Sequence, residues 1–147
     1  MNTFQKALHF TLQWEGGFVS DPEDRGGDTN KGITQNTYNI YRDGCNLERI
    51  TVKYITDSEV QDIYESMYWN KINGSELEPH LAICVFDFAV NSGVNRALRY
   101  LTLTHDWNKY LDLREEFLRR IGTASQAKFL KGWLNRTQSL RDYLNSF

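Results

Sequence analysis

The chain has few of the residues that mark a disordered or disulfide-stabilised protein. It contains only two prolines among 147 residues and no stretch of biased composition, which argues against disorder. Its two cysteines, Cys45 and Cys84, are too few for a disulfide framework and lack zinc-type spacing. We expect both to be reduced thiols, with a single disulfide bridge as the alternative.

Long apolar runs are also missing. No segment approaches the run of about 18 apolar residues that a membrane-spanning helix needs. Residues 1–14 contain no apolar core of signal-peptide length, because His9, Thr11 and Gln13 interrupt it. Neither a transmembrane segment nor a signal peptide is therefore expected.

Several familiar catalytic and metal-binding motifs are absent from the sequence. The three histidines are isolated from one another, and neither a His-x-x-x-His zinc pair nor a Gly-x-Ser-x-Gly hydrolase motif is found. Asp21 and Gly26 match positions 1 and 6 of a calcium-binding EF-hand loop. Arg25 and Gly32 occupy its positions 5 and 12, where oxygen ligands are needed. No metal or organic cofactor is therefore expected.

The charges are distributed unevenly along the chain. Residues 1–95 carry 7 basic and 14 acidic side chains, whereas residues 96–147 carry 10 basic and 5 acidic ones. A basic C-terminal part suggests an anionic partner, whether polymer, lipid or nucleic acid. The alternative is that these side chains solvate the outward faces of helices. Nucleic acid is disfavoured, because the whole chain is acidic and has no helix dense in Arg and Lys.

The apolar residues recur mostly with helical spacing, and the chain length suits one domain. Thr3 is predicted to cap a first helix that runs to Glu15. Gly16-Gly17 is predicted to end that helix, because glycine adopts the positive φ of a C-terminal cap. Residues 18–19 and 31–33 are predicted to be the two short strands of a small hairpin lobe.

Six further helices are predicted. The most apolar stretch, Leu81–Val90, is predicted to be a buried central helix with Gly93 as its C-cap. A capping box formed by Thr56 and Glu59 begins the helix before it. The remaining helices are predicted over residues 34–41, 95–103, 108–121 and 125–144.

The segment from Trp14 to Thr34 carries the clearest chemical signal. Glu15 follows an apolar helical stretch and precedes two glycines and a polar loop with four acidic residues. A carboxyl group on an apolar face near a helix C-terminus favours its neutral form, which is the form a proton donor needs. Cleavage of a glycosidic bond requires such an acid together with a second carboxylate, or polar groups acting with it, to activate water. Glu15 is therefore the candidate general acid.

The neighbouring polar residues have structural alternatives. Asp24 lies nine positions after Glu15 and is either the second carboxylate or a loop aspartate that caps backbone amides. Thr29 and Thr34 are candidates to hold a water or a sugar hydroxyl. For Thr34, capping of the next helix is the preferred interpretation.

Two helices offer further candidates. Asp87 and Asn91 lie one turn apart in the central helix, and hydrogen bonding in the core is preferred over projection into a cleft. In the C-terminal helix an apolar face opposes a basic one, so the helix either packs on its own domain, as expected first, or lies on an anionic surface. The basic residues are Lys128, Lys131, Arg136 and Arg141.

The N-terminal part contains a signature of fixed residues: Glu15-Gly16-Gly17, Asp21-Pro22, Asp24, Gly26-Gly27, Thr29 and Gly32-Ile33-Thr34. This signature resembles that of glycoside hydrolase family 108, the lysozyme-like N-acetylmuramidases of phages and bacteria. Residues 86–93 and 129–136 are also similar to that family, so the resemblance covers nearly the whole chain. The 129–136 segment resembles the family's C-terminal region, which is often described as peptidoglycan-binding.

The resemblance implies a mainly α (α+β), lysozyme-like fold with a small β-hairpin lobe beside a cleft. Residues 1–147 would form one domain, with a catalytic part over 1–93 and a helical part over 94–147 that is a candidate for peptidoglycan binding. The family's catalytic glutamate corresponds to Glu15. In related phage lysozymes an aspartate and a threonine follow that glutamate after gaps of eight and five residues. Asp24 fits the first gap, and Thr29 lies one residue before the expected threonine.

The sequence thus predicts an endolysin-type peptidoglycan hydrolase that cleaves the β-1,4 bond between N-acetylmuramic acid and N-acetylglucosamine. The alternative is a non-catalytic wall-binding or secretion-assisting protein. We expect synthesis in the bacterial cytoplasm and action on the wall after release through a membrane lesion or dedicated export. The predicted catalytic residues are Glu15, Asp24 and Thr29, and the predicted substrate-binding residues are Thr34, Tyr38 and Asn91.

Overall fold

The computed structural model describes residues 1–20 and 27–147. Within these residues the chain forms seven α-helices and one two-stranded antiparallel sheet, so the expected mainly α fold with a small hairpin is confirmed. Strands β1 (Thr29–Asn30) and β2 (Ile33–Thr34) follow the first helix. The helices are α1 (Thr3–Glu15), α2 (Gln35–Gly44), α3 (Asp57–Tyr64), α4 (Pro79–Ser92), α5 (Val94–Leu101), α6 (Trp107–Ile121) and α7 (Ala127–Asn145).

The start of α1 differs from the prediction by one residue. Asn2, not Thr3, is the N-cap: its Oδ1 accepts a hydrogen bond of 2.8 Å from the amide of Gln5. The side chain of Gln5 accepts one of 2.9 Å from the amide of Asn2 in return. This reciprocal capping box satisfies two amides that the helix leaves free. The helix ends at Gly16 with a φ of 77°, as predicted.

The turn of the hairpin lies further along the chain than predicted. It is formed by Lys31 and Gly32, with φ values of 52° and 78°, and two positive φ values in succession are typical of a tight two-residue hairpin turn. The sequence placed these residues inside a strand. Val19, predicted to lie in the other strand, joins the hairpin only through an isolated bridge to Thr29.

Helix α3 begins with the predicted capping box and continues into one turn of π-helix, Glu65–Trp69. In that turn the amide of Asn70 donates to the carbonyl of Glu65 over 2.8 Å. The wider turn changes which side chains face inward, so Trp69 is buried while Met67 is exposed. A periodicity of 3.6 residues cannot anticipate this change.

Helix α4 lies at the centre of the molecule. Its residues from Leu81 to Ala89 are all buried, and α1, α5 and α6 pack on it. Leu140 and Leu144 of α7 belong to the same apolar cluster as Phe4 of α1. Residues before and after position 93 therefore share one core.

No helix in the two described ranges combines the length and apolarity needed to cross a membrane.

Candidate active site

Glu15 lies at the end of α1, with 22 % of its side chain exposed. The hairpin turn lies against it: a Cβ placed on Gly32 would be 3.0 Å from Oε2 of Glu15 and 3.1 Å from its Cβ. Glycine at position 32 permits this close approach. The carboxyl group is therefore enclosed by the hairpin on one side and remains partly open to solvent.

Arg136 is the ion-pair partner of Glu15. Its Nη1 lies 3.0 Å from Oε1 of Glu15, and the residue is only 6 % exposed. The sequence placed Arg136 on an outward basic face of α7, which is wrong. Arg136 lies three residues after Trp133 and four before Leu140, so it lies on the helix face that packs on the core.

Asp87 of α4 holds Arg136 in place. Nε and Nη2 of Arg136 donate to its two carboxylate oxygens over 3.1 and 2.8 Å. The same oxygens accept hydrogen bonds from the hydroxyl of Thr11 at 2.8 Å and from Nη1 of Arg114 at 2.7 Å. Burial by itself raises the pKa of Asp87, but the two arginines outweigh it and hold the pKa at about 2. Asp87 thus hydrogen-bonds in the core, as preferred from the sequence.

Arg114 of α6 completes a buried charge cluster, defined here as Glu15, Asp87, Arg114 and Arg136. Arg114 is fully buried, and its guanidinium lies 5.4 Å from the centre of the Phe88 ring. Its Nε and Nη2 have no hydrogen-bond partner within the described residues. The four members come from four helices, and their charges cancel when Glu15 is ionised.

The ion pair of Glu15 was not expected from the sequence. The position of Glu15 at the end of α1 was predicted correctly, but its partner, 121 positions away, was not. The neutral state of the carboxyl group stays a prediction.

Two tyrosines border the glutamate. Tyr64 of α3 donates its hydroxyl to the carbonyl of Lys31 over 2.7 Å, and its ring stacks on Tyr68 with centres 5.5 Å apart. Burial, followed by the negative charge of Glu15, raises the pKa of both phenols. Both tyrosines therefore stay neutral beside the carboxylate. No feature of the sequence singled out either tyrosine as a site residue.

The predicted catalytic partners of Glu15 are only partly placed by the structure. Asp24 lies outside the described residues, as do the neighbouring loop acids Asp21 and Glu23. Thr29 lies in β1, half-buried, and exchanges backbone hydrogen bonds of 2.8 and 2.9 Å with Val19. The catalytic roles of Asp24 and Thr29 stay predictions.

Thr34 caps α2, as preferred from the sequence. Its hydroxyl oxygen accepts a hydrogen bond of 3.1 Å from the amide of Thr37. Asn91 is half-buried near the end of α4 and accepts a hydrogen bond of 2.8 Å from the hydroxyl of Ser92. Substrate binding by these two residues stays a prediction.

The prediction that Tyr38 binds substrate is wrong. Its side chain is fully buried, and its hydroxyl donates to Glu59 over 2.7 Å. Burial, followed by this hydrogen bond and the charge of Glu59, raises the pKa of Tyr38 to about 12. On α2 the apolar stripe turns Tyr38 toward α3, where it packs and cannot reach a sugar.

A groove of about 460 Å³ runs between α1 and α3. Its lining includes the apolar residues Leu8, Leu12 and Val60 and the polar residues His9 and Gln61. Glu15 is not among the residues that line it. The groove is therefore not assigned to the reacting bond.

Comparison with known proteins identifies the family. The family model described as Glycosyl hydrolase 108 matches residues 8–93, which is more than half of the chain and includes Glu15 and Asp87. Among solved structures, SagA from Brucella abortus is similar, with a TM-score of 0.75 and 29% identity over 99% of this chain and 95% of that one. No curated protein matches the sequence. The chain therefore belongs to the glycosyl hydrolase 108 family and is a glycoside hydrolase with a lysozyme-like fold, which supports hydrolysis of peptidoglycan.

Proposed function

We propose that the protein hydrolyses the β-1,4 bond between N-acetylmuramic acid and N-acetylglucosamine in bacterial peptidoglycan. The observation that carries this proposal is the setting of Glu15 at the end of α1. Arg136 holds its Oε1 at 3.0 Å, the hairpin turn lies beside its Oε2, and 22 % of the side chain stays exposed. Fixed but accessible geometry is what a proton donor to a large substrate requires.

Glu15 acts as the general acid in this proposal. Its proton passes to the glycosidic oxygen while the bond from that oxygen to the sugar C1 breaks, and the electron pair of the bond stays on the oxygen. The oxygen of a water molecule forms the new bond to C1, and the proton of that water passes to a second carboxylate. We assign that carboxylate to Asp24 and the orientation of the water to Thr29. This arrangement inverts the configuration at C1.

Helix α7 offers a surface that suits the glycan strand. Phe129 and Trp133 stack with ring centres 5.9 Å apart, and Phe129 is 46% exposed. Trp133 is half-buried and packs against the core, so Phe129 is the more accessible ring of the pair. Exposed aromatic rings bind the apolar faces of ligands, so Phe129 supports peptidoglycan binding by the C-terminal part.

Contact of α7 with an anionic surface has less support than the sequence suggested. Of its four basic residues, Arg136 is buried, and Arg141 donates to Asp112 over 2.8 Å. Lys128 and Lys131 remain exposed. The glycan strand is therefore the proposed partner, and an anionic wall or membrane surface is secondary.

We further propose that the enzyme reaches the wall through a membrane lesion, as in phage lysis, or by dedicated export. Either route would bring the enzyme to its proposed substrate, the cell wall.

The proposal is tested by the clearing of purified bacterial cell walls. Glu15→Gln removes the transferable proton with little change in shape, and we expect it to lower the rate by at least about 10²-fold. Glu116→Gln is the matched control, because Glu116 is exposed on α6, and it should clear walls like the wild type. Asp24→Asn and Thr29→Ala test the two remaining roles in the same assay.

Two results would contradict the proposal: clearing by both wild type and Glu15→Gln, or by neither. A non-catalytic wall-binding protein would sediment with walls without releasing fragments. Mass and reducing-end analysis of the products distinguishes a muramidase, which leaves a muramic acid reducing end, from a glucosaminidase or a lytic transglycosylase.

A further inference from the structure

We propose that Tyr64 is a positioning residue for the reaction, because its hydroxyl holds the hairpin turn against Glu15. The inference rests on the proposed function and deepens it. Tyr64 is the last residue of α3 and directly precedes the π-helical turn. Such turns occur frequently at functional sites.

The hydroxyl of Tyr64 connects the helical body to the hairpin. It donates a hydrogen bond of 2.7 Å to the backbone carbonyl of Lys31, the first residue of the turn. Tyr64 is only 1% exposed, so water competes little for this donor. Burial, followed by the negative charge of Glu15, raises the pKa of the phenol, and the hydroxyl therefore keeps the proton that it donates.

The ring of Tyr64 is itself fixed by packing. It stacks on Tyr68 with ring centres 5.5 Å apart, and its centre lies 6.2 Å from that of the Phe86 ring. Phe86 belongs to the central helix α4 and is fully buried. Because side chains in a close-packed interior have little freedom to move, the core determines where the hydroxyl lies. The hydrogen bond thus ties the hairpin turn to the core.

The turn that Tyr64 holds is also the part of the hairpin that lies against Glu15. A Cβ placed on Gly32 would be 2.5 Å from the Tyr64 hydroxyl and 3.0 Å from Oε2 of Glu15. The hydroxyl and the carboxyl group therefore both lie where a side chain of residue 32 would begin. Without the hydrogen bond, the turn would be free to move away from the carboxyl group. A misplacement of about 1 Å at a reacting group can lower a rate by about 10²-fold.

Two other contacts also hold the hairpin, at different points. Nδ2 of Asn30 donates to the carbonyls of residues 52 and 53 over 3.2 Å each. The ammonium of Lys31 pairs with Asp57 at 2.6 Å, with 93% of the aspartate side chain exposed, and exposed pairs contribute little to stability. Tyr64 differs from both, because the same hydroxyl that binds the hairpin also lies against Gly32.

Tyr64→Phe removes the hydroxyl and keeps the ring, so it tests the hydrogen bond without opening a large cavity. We expect kcat on soluble peptidoglycan fragments to fall by about 10-fold. KM should change little, because a buried hydroxyl does not contact the sugar.

Tyr110→Phe is the matched control. Tyr110 is fully buried, and its hydroxyl also donates to a backbone carbonyl, that of Ala97, over 2.8 Å. This bond joins α6 to α5 and does not involve the hairpin. Tyr110→Phe should lower the Tm about as much as Tyr64→Phe does and leave kcat unchanged. Asp57→Asn, which removes the ion pair of Lys31, should leave both kcat and Tm nearly unchanged.

The position of the turn is measured independently of activity by NMR. The Cβ of Glu15 lies 3.1 Å from the Cβ position of Gly32, so the β-protons of Glu15 should show nuclear Overhauser contacts with the α-protons of Gly32. These contacts should be present in the wild type and in both controls, and weaker in Tyr64→Phe.

Either an unchanged kcat or an unchanged contact between Glu15 and Gly32 in folded Tyr64→Phe would overturn the inference. An equal fall in kcat in Tyr110→Phe would overturn it too, because a general loss of stability would then be responsible. If the wild type failed to cleave peptidoglycan, the proposed function would fail, and the NMR contact alone would decide the role of Tyr64. If Tyr64→Phe is unfolded, the wild type decides: the inference requires a slowly exchanging Tyr64 hydroxyl proton in contact with the α-proton of Lys31, and a freely exchanging proton would overturn it.

Discussion

Gly32 shows how one residue constrains the active carboxyl group. It combines a φ of +78° with close approach to Glu15 and to the hydroxyl of Tyr64, which a Cβ would meet at 2.5 Å. Only glycine satisfies both conditions without displacement of its neighbours. The residue therefore helps to determine where the glutamate lies, although it takes no part in the chemistry.

We predict that Gly32→Ala lowers both stability and activity. The strained backbone and the crowded Cβ should cost about 1–3 kcal/mol of unfolding free energy. Displacement of Glu15 should reduce the rate of wall clearing by about 10–100-fold.

Gly17→Ala is the control for this substitution, because no atom of the described residues lies within 4 Å of its Cβ position and its φ is not positive. Urea unfolding and the clearing assay measure both effects. Equal behaviour of the two variants would show that the close contact at Gly32 is unimportant.

At this scale the sequence predicted the glutamate but not its arginine. Glu15 stands out because a carboxyl group meets a Gly-Gly pair at the end of an apolar stretch. Arg136 is one of several basic residues in its helix, and only its spacing from Trp133 and Leu140 distinguishes it. A charged residue at a core position of a helix is the signal that was available, and Arg114, between Leu111 and Leu118, shows the same signal.

Helix α1 presents Glu15 at its C-terminus, so its own stability matters to the site. Its first turn is held by the reciprocal hydrogen bonds between Asn2 and Gln5. Asparagine is among the best N-capping residues. Thr3, which the sequence favoured as the cap, is instead the first residue of the helix.

We predict that Asn2→Ala destabilises the protein by about 1 kcal/mol, which corresponds to a fall in Tm of about 2–4 °C for a chain of this size. Thr3→Ala should change the Tm less, because its hydroxyl does not cap the helix. Calorimetry of the two variants distinguishes the caps. A larger fall in Tm for Thr3→Ala than for Asn2→Ala would indicate that Thr3 is the N-cap, as the sequence predicted.

Helix existence was largely predictable, whereas local departures from regularity were not. All seven helices follow from apolar spacing and capping residues, and α4 ends at Gly93 as predicted. The hairpin register depends on Lys31 adopting a positive φ. The presence of a lysine does not predict such a backbone conformation. The π-helical turn after Tyr64 likewise has no local sequence marker, so the burial of Trp69 and the exposure of Met67 were not predicted.

At the scale of the whole molecule, the buried charge cluster links α1, α4, α6 and α7. Asp87 lies at its centre, because its carboxylate accepts hydrogen bonds from both arginines and from the hydroxyl of Thr11. The pKa of Asp87, about 2, lies below the value of about 3.9 expected in an unfolded chain. The contribution of Asp87 to stability is therefore complete above about pH 4–5 and is lost as the pH falls toward 2.

We predict that Asp87→Asn destabilises the protein at neutral pH by about 3–5 kcal/mol, because it leaves two buried arginines without their carboxylate. It should also flatten the fall in stability between about pH 5 and pH 2. Urea unfolding across this range measures both effects.

Asp112→Asn is the comparison for this prediction, since the pair of Asp112 with Arg141 lies at the surface, with 66% of the aspartate side chain exposed. It should change stability little. Similar losses of unfolding free energy for the two variants would show that the buried cluster stabilises the protein no more than a surface ion pair does.

The two parts recognised from the sequence, before and after position 93, are not separable in the structure. Apolar residues of α7 lie in the same core as α1, and Arg136 reaches back to Glu15. The resemblance that suggested this boundary does not reveal the connection, because Arg136 counts as a basic surface residue of α7 until its burial is known.

The separation of 121 positions between Glu15 and Arg136 has a consequence for synthesis on the ribosome. The glutamate is translated before its arginine, which follows 121 positions later, midway along α7. A nascent polypeptide therefore carries the acid without its counterion until α7 is being synthesised.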